Sequence, residues 1–156
     1  MKTLLRHLVT HAIAVALGFA GGIYLLPILT APEAPSATQL QHHAGRADFT
    51  GQFRRDLKDS DALHWGEGTL HVGRHTIALE GRIAPGPDYR LYLSPEFIET
   101  EADFKRLKPT LVHVGHVRTF DNFVVELPPD IDPAHYTTAI VWCESFGQFI
   151  TAAQYR

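Results

Sequence analysis

Two rhythms of hydrophobic residues divide the chain. From Ala12 to Leu29, apolar or small residues run unbroken for 18 positions, and Leu8 and Val9 extend the run. That approaches the ~20 residues a bilayer-crossing helix needs. From Phe49 onward, apolar residues come instead in short bursts broken by Gly, Pro and Asp, as in Pro85-Gly86-Pro87-Asp88 and Pro128-Pro129-Asp130. Leu91 and Leu93 flank Tyr92, and Val112 and Val114 flank His113, the period-two pattern of half-buried strands. The pattern predicts strands at 49–54, 68–72, 75–81, 89–93, 111–118, 122–127, 137–144 and 149–155. Ser94-Pro95-Glu96 and Thr100-Glu101-Ala102-Asp103 read as helix starts, which places one or two helical turns within 95–107. The expected fold is all-β: a sandwich of about eight short antiparallel strands, preceded by an N-terminal transmembrane helix.

Three parts follow from this division. Residues 1–30 are a transmembrane anchor or a signal peptide, residues 31–48 a linker, and residues 49–156 the β-domain. Lys2 and Arg6 precede the apolar run, and Arg46 is the first basic residue after it. This asymmetry favours a cytoplasmic N-terminus, a membrane span through residues 8–29, and a domain in the periplasm or outside the cell. The run exceeds a typical signal core and no clean A-x-A site follows closely, so an uncleaved anchor is the expectation. Pro27, Pro32 and Pro35 with Ser36, Thr38, Gln39 and Gln41 predict a polar tether. His42 and His43 fall within it as solvated residues.

Composition then removes whole classes of function. The formal net charge is -3 and the basic residues are scattered, so no nucleic-acid partner is expected. The single cysteine excludes an intramolecular disulfide, a CxxCH haem attachment and a cysteine-based zinc cage. Met1 is the only methionine and no histidine follows Cys143, which excludes the ligand loop of a blue-copper site. Nucleophilic serine motifs, phosphate-binding glycine loops and HExxH are absent from the sequence, leaving hydrolase and kinase readings without support.

The chemistry that remains centres on Thr138 to Arg156, TAIVWCESFGQFITAAQYR. In a strand, Thr138, Ile140, Trp142 and Glu144 share one face, and Ala139, Val141 and Cys143 the other. Cys143 is either a redox or ligating thiol or a small core residue; a thiolate role requires access and a lowered pKa. His64, beside Trp65 in ALHWGEG, is its candidate partner, and Trp142 its sequence neighbour. His71 and His75 are separated by a turn at Gly73, and His113 and His116, three apart, are expected on opposite faces of a strand. Asp88 is expected to cap a turn. An intermolecular disulfide through Cys143 is a further possibility for an unpaired cysteine in an oxidising compartment.

Four blocks together resemble the DM-thirteen domain family, also called the electron-transfer DM domain. They are HWGEGTLHV (64–72), GPDYRLYL (86–93), the VGHV segment with VELPPDIDPAHY within 114–136, and VWCESFGQF (141–149). The resemblance covers about residues 45–156. It implies a β-sandwich standing outside the cytoplasm and a role in electron transfer or redox modification. That role centres on the cysteine, as a naked thiol or as a ligand to a prosthetic group such as haem. Carried onto this sequence, the role falls on Cys143, with His64 and Trp142 as accompanying residues. With no second domain beside it, the expected redox partner is a separate protein. The alternative is a non-catalytic extracytoplasmic binding or assembly module in which Cys143 fills the core.

Overall fold

The computed structural model describes residues 2–156. Helix α1, Lys2–Thr30, is long and apolar enough to cross a membrane, and none of its residues is buried in the protein. At ~1.5 Å per residue its 29 residues are longer than a hydrocarbon core of about 30 Å.

Eight strands follow, each within two residues of its predicted bounds: β1 Phe49–Phe53, β2 Gly66–Val72, β3 Thr76–Ile83, β4 Tyr89–Ser94, β5 Val112–Val117, β6 Asp121–Glu126, β7 Thr138–Cys143 and β8 Gln148–Gln154. They form two antiparallel four-stranded sheets, ordered β1-β2-β3-β6 and β5-β4-β7-β8. The inner faces supply one core, including Phe53, Leu70, Ile77, Leu91, Val141 and Cys143. This is the expected β-sandwich.

Helix α3, Glu101–Leu107, covers the outer face of the second sheet. Thr100 caps it, its hydroxyl accepting the Asp103 N–H at 3.1 Å. Phe104 and Leu107 join Tyr92, Ile140, Trp142 and Phe149 in a second apolar cluster there. Strand β7 is therefore buried on both faces along its length. The expected helix start at Ser94 does not form. Ser94 ends β4 instead, and its hydroxyl accepts the Glu96 N–H at 3.1 Å, closing a turn.

Within 31–48 the chain forms a short helix, α2, Ala37–Ala44. Ser36 and Gln39 make a reciprocal capping box, with N–H···O distances of 3.3 and 2.8 Å. Leu40 is buried where α2 lies on β3 and β2. His43 Nδ1 lies 3.0 Å from the Thr76 hydroxyl, so this histidine docks the helix.

The structure corrects one expectation about histidines. A bulge breaks the β4–β5 register between Leu91, opposite Gly115, and Tyr92, opposite His113. The extra residue turns His113 and His116 to the same side, with ring centroids 5.8 Å apart. Strict alternation could not foresee this.

Candidate functional site

The inward face of β7 ends at Cys143, opposite Tyr89 of β4 in register. Next to them the sandwich opens into a cavity of about 340 Å³. That volume is at the low end of the ~300–1,000 Å³ of small-molecule pockets. Three connections build its walls: the 61–65 loop before β2, the 84–88 loop between β3 and β4, and the turn from β7 to β8.

The first wall carries His64. Asp61 accepts the backbone N–H groups of Leu63 and His64 at 2.7 and 2.8 Å, and His64 Nδ1 lies 3.0 Å from its second oxygen. The His64 hydrogen bond foremost, with the two backbone donors, holds the Asp61 carboxyl below its usual range against the opposing cost of burial. An ionised carboxylate can only accept, so the Nδ1 nitrogen carries the proton. The ring nitrogen left for a pocket ligand is Nε2. The Ala84 N–H donates to the Trp65 carbonyl at 2.9 Å, tying this wall to the second.

The second wall is the Pro85-Gly86-Pro87-Asp88 turn. Asp88 takes the left-handed conformation at φ 53°, sparsely used by residues other than glycine. Its carbonyl accepts the Glu144 N–H at 3.1 Å, and its carboxylate accepts the Ser145 hydroxyl at 3.1 Å. These bonds fasten the turn that carries Cys143's neighbours. Gly86 is required by close approach: a Cβ there would meet the Tyr89 ring 2.7 Å from Cζ. The Asp88 side chain thus braces a turn through the Ser145 hydroxyl and Arg90, rather than capping one through the expected backbone hydrogen bonds.

Cys143 forms the floor. It is only 3% exposed, and its thiol donates to the Pro87 carbonyl at 3.1 Å. Burial pushes the thiol up; hydrogen bonds from the Phe146 and Ser145 N–H groups oppose this without reversing it. Burial likewise raises Tyr89, which keeps its phenolic proton. At the rim, Leu63 and Phe146 expose 59% and 51% of their surface. Ile23 and Tyr24 of α1, with Gln148 and Ile150 of β8, complete the lining.

Cys143 and His64 therefore line one pocket, although far apart in the sequence. Trp142 does not join them. It lies on the opposite face of β7, stacked on Phe104 with centroids 3.9 Å apart and planes 8° from parallel, and Lys105 Nζ sits 5.9 Å from its ring. Sequence reasoning missed Asp61, Tyr89 and Phe146. Only Asp61 left a readable signal, an Asp three residues before a histidine in a turn-rich stretch.

The donor chemistry does not fit a thiolate-held haem or metal. The Cys143 thiol spends its proton on Pro87, and burial opposes the thiolate that such a ligand requires. Clusters of three or more His, Cys, Asp or Glu side chains able to hold a metal ion are absent among the described residues.

The chain is thus a two-sheet sandwich in which a thiol and a carboxylate-held imidazole line one largely apolar pocket. The family model described as Electron transfer DM13 matches residues 52–155, and the chain belongs to that family. No curated protein and no solved structure matches the chain.

Proposed function

We propose that this chain is a membrane-anchored, extracytoplasmic member of the family that takes part in electron transfer through the Cys143 pocket. Residues 1–30 serve as the anchor and residues 49–156 as the working domain, held near the bilayer by the segment between them. The observation that carries the reading is the convergence of Cys143 and His64 on one cavity in a chain of an electron-transfer family. Cys143 is a naked thiol, protonated and 3% exposed at rest, so the reading requires the pocket to open before the thiol can give an electron and its proton to a partner. His64, fixed by Asp61, presents Nε2 as the pocket's proton-accepting group. Trp142 braces the strand from behind, and a separate protein is the redox partner.

The test uses the full chain in vesicles, comparing the parent with Cys143→Ser and His64→Ala. Absorption spectra, thiol titration and electron exchange with a soluble one-electron mediator are recorded together. Exchange in the parent that falls at least tenfold in Cys143→Ser supports the proposal. Equal exchange in all three proteins overturns it.

One observation favours a second reading. Cys143 belongs to the inter-sheet core and is 3% exposed, as a filler residue is. In that reading the domain is a binding or assembly module, and Cys143→Ala alters stability alone.

A further inference from the structure

The Cys143 pocket stands beside the end of the membrane helix. Ile23 and Tyr24, which belong to its last two turns, line the same cavity as His64 and Cys143. Counting ~20 residues of hydrocarbon span from Leu8 ends the span near Pro27, which puts Ile23 and Tyr24 about 5 Å inside its outer edge at ~1.5 Å per residue. Tyrosine at that depth suits the interface, with an apolar ring and a polar tip. Leu63 and Phe146, the two exposed apolar side chains at the rim, extend this greasy approach onto the domain.

The lining also constrains the ligand's head. Apolar groups dominate, and the cavity of about 340 Å³ suits one or two fused rings. Acid and base are kept apart. Tyr89 retains an O–H donor, whereas His64, its Nδ1 turned to Asp61, has Nε2 as the ring nitrogen that Asp61 does not engage. Lys and Arg are absent from the lining, so an anionic head finds no counter-charge.

We propose that this pocket binds the ring of a lipid-soluble quinone or quinol that enters from the bilayer beside α1. Tyr89 donates to one ring oxygen, and a quinol hydroxyl on the other side donates to His64 Nε2. The aliphatic tail leaves past Phe146 and Leu63 toward the membrane. This inference rests on the redox reading of the same site and names its small-molecule partner.

The test uses the full chain in phosphatidylcholine–phosphatidylglycerol vesicles containing a photoreactive azido-ubiquinone. Labelled residues are mapped by mass spectrometry. The expected result is label within 61–65 and 144–148, displaced by unlabelled decyl-ubiquinone. The exposed-rim variants Leu63→Asp and Phe146→Asp are expected to lower labelling at least tenfold. Phe97→Asp, at an exposed position outside this pocket, is expected to leave labelling unchanged. Label confined to α1, label that the rim variants do not diminish, or label that decyl-ubiquinone does not displace overturns the proposal. So does a haem that purifies with the protein and blocks labelling. Labelling needs no electron exchange, so the two readings fail separately. Displaceable pocket label with parent-like exchange in Cys143→Ser sinks the thiol role and leaves the quinone site standing. Cys143-dependent exchange without pocket label does the reverse.

Discussion

Asp61 Oδ2 lies 3.0 Å from His64 Nδ1, and the other oxygen of the same carboxylate takes the backbone N–H groups of Leu63 and His64. One side chain thus sets both the shape of the loop and the tautomer of the imidazole. The pocket wall receives an oriented imidazole rather than a freely turning ring.

In Asp61→Asn the side-chain oxygen can still cap the loop, while its NH₂ group faces Nδ1 and demands an acceptor there. The proton is expected to move to Nε2. Nitrogen chemical shifts of His64 check this: one Nδ1–H form in the parent, a majority Nε2–H form in the variant. The depressed Asp61 pKa also carries a sign. Its stabilising contribution is present above the ordinary carboxylate value of ~3.9 and is lost as pH falls through the folded value. The stability gap between parent and variant should therefore close on acidification below about pH 4.

Cys143 should behave as a slow thiol. At neutral pH, a disulfide reagent is expected to modify it at least tenfold more slowly in the folded protein than in urea. The folded pKa is raised, so its contribution to stability is present below the unfolded thiol value of ~8.5 and is lost as pH rises through the folded value. Urea melts of the parent and Cys143→Ala at pH 7 and pH 10 test this, the difference shrinking at the higher pH. At pH 7, Cys143→Ala is expected to cost ~1–2 kcal/mol through the small cavity and lost contacts.

Behind the pocket strand, the Tyr92 hydroxyl donates to the Glu144 carboxylate, which also receives Lys108 Nζ at 3.3 Å. Burial pushes Glu144 up, but these two donors outweigh it and leave the carboxyl below its usual range. Tyr92→Phe is expected to cost ~1.5–3 kcal/mol, the range for a hydrogen bond to a charged group. Most of that loss should disappear in a Glu144→Gln background, and a double-mutant cycle by urea denaturation reads the coupling.

The Trp142–Phe104 stack separates stability from site chemistry. Phe104→Ala removes a fully buried ring and is expected to cost ~3–5 kcal/mol. Trp142→Phe keeps an aromatic surface against Phe104 and should cost less. Because Trp142 lies outside the pocket, this variant should leave the reactivity of the Cys143 thiol unchanged. An altered thiol rate in a folded Trp142→Phe protein would count against the separation of the two faces.

Much of the architecture was legible in order of sequence. Alternation in YRLYLS gave a strand, and strand geometry sorted TAIVWC into two faces without saying which is inward, because side chains on a strand point to opposite sides in turn. The signals that failed were local ones with close competitors. Ser94 resembles a helix cap, yet its backbone is claimed by the β4–β7 ladder, ending opposite Thr138. The S-x-x-Q capping box at Ser36 was present in the sequence but hidden in a stretch whose prolines and amides read as tether.

By itself the sequence determined the strands, the membrane-length apolar helix and the family blocks, since each is written in neighbouring residues through periodicity, length and turn chemistry. It also determined that any thiol chemistry belongs to Cys143. Only the tertiary structure decided which residues meet that thiol. It brought His64 and its Asp61 into the pocket, turned Trp142 to the far side of the sheet, and set Pro87 and burial to keep the thiol protonated. Those outcomes depend on sheet order and on how three loops close over one end of a sandwich. Such long-range pairings are fixed by packing of the whole core, and no short stretch of the chain contains them.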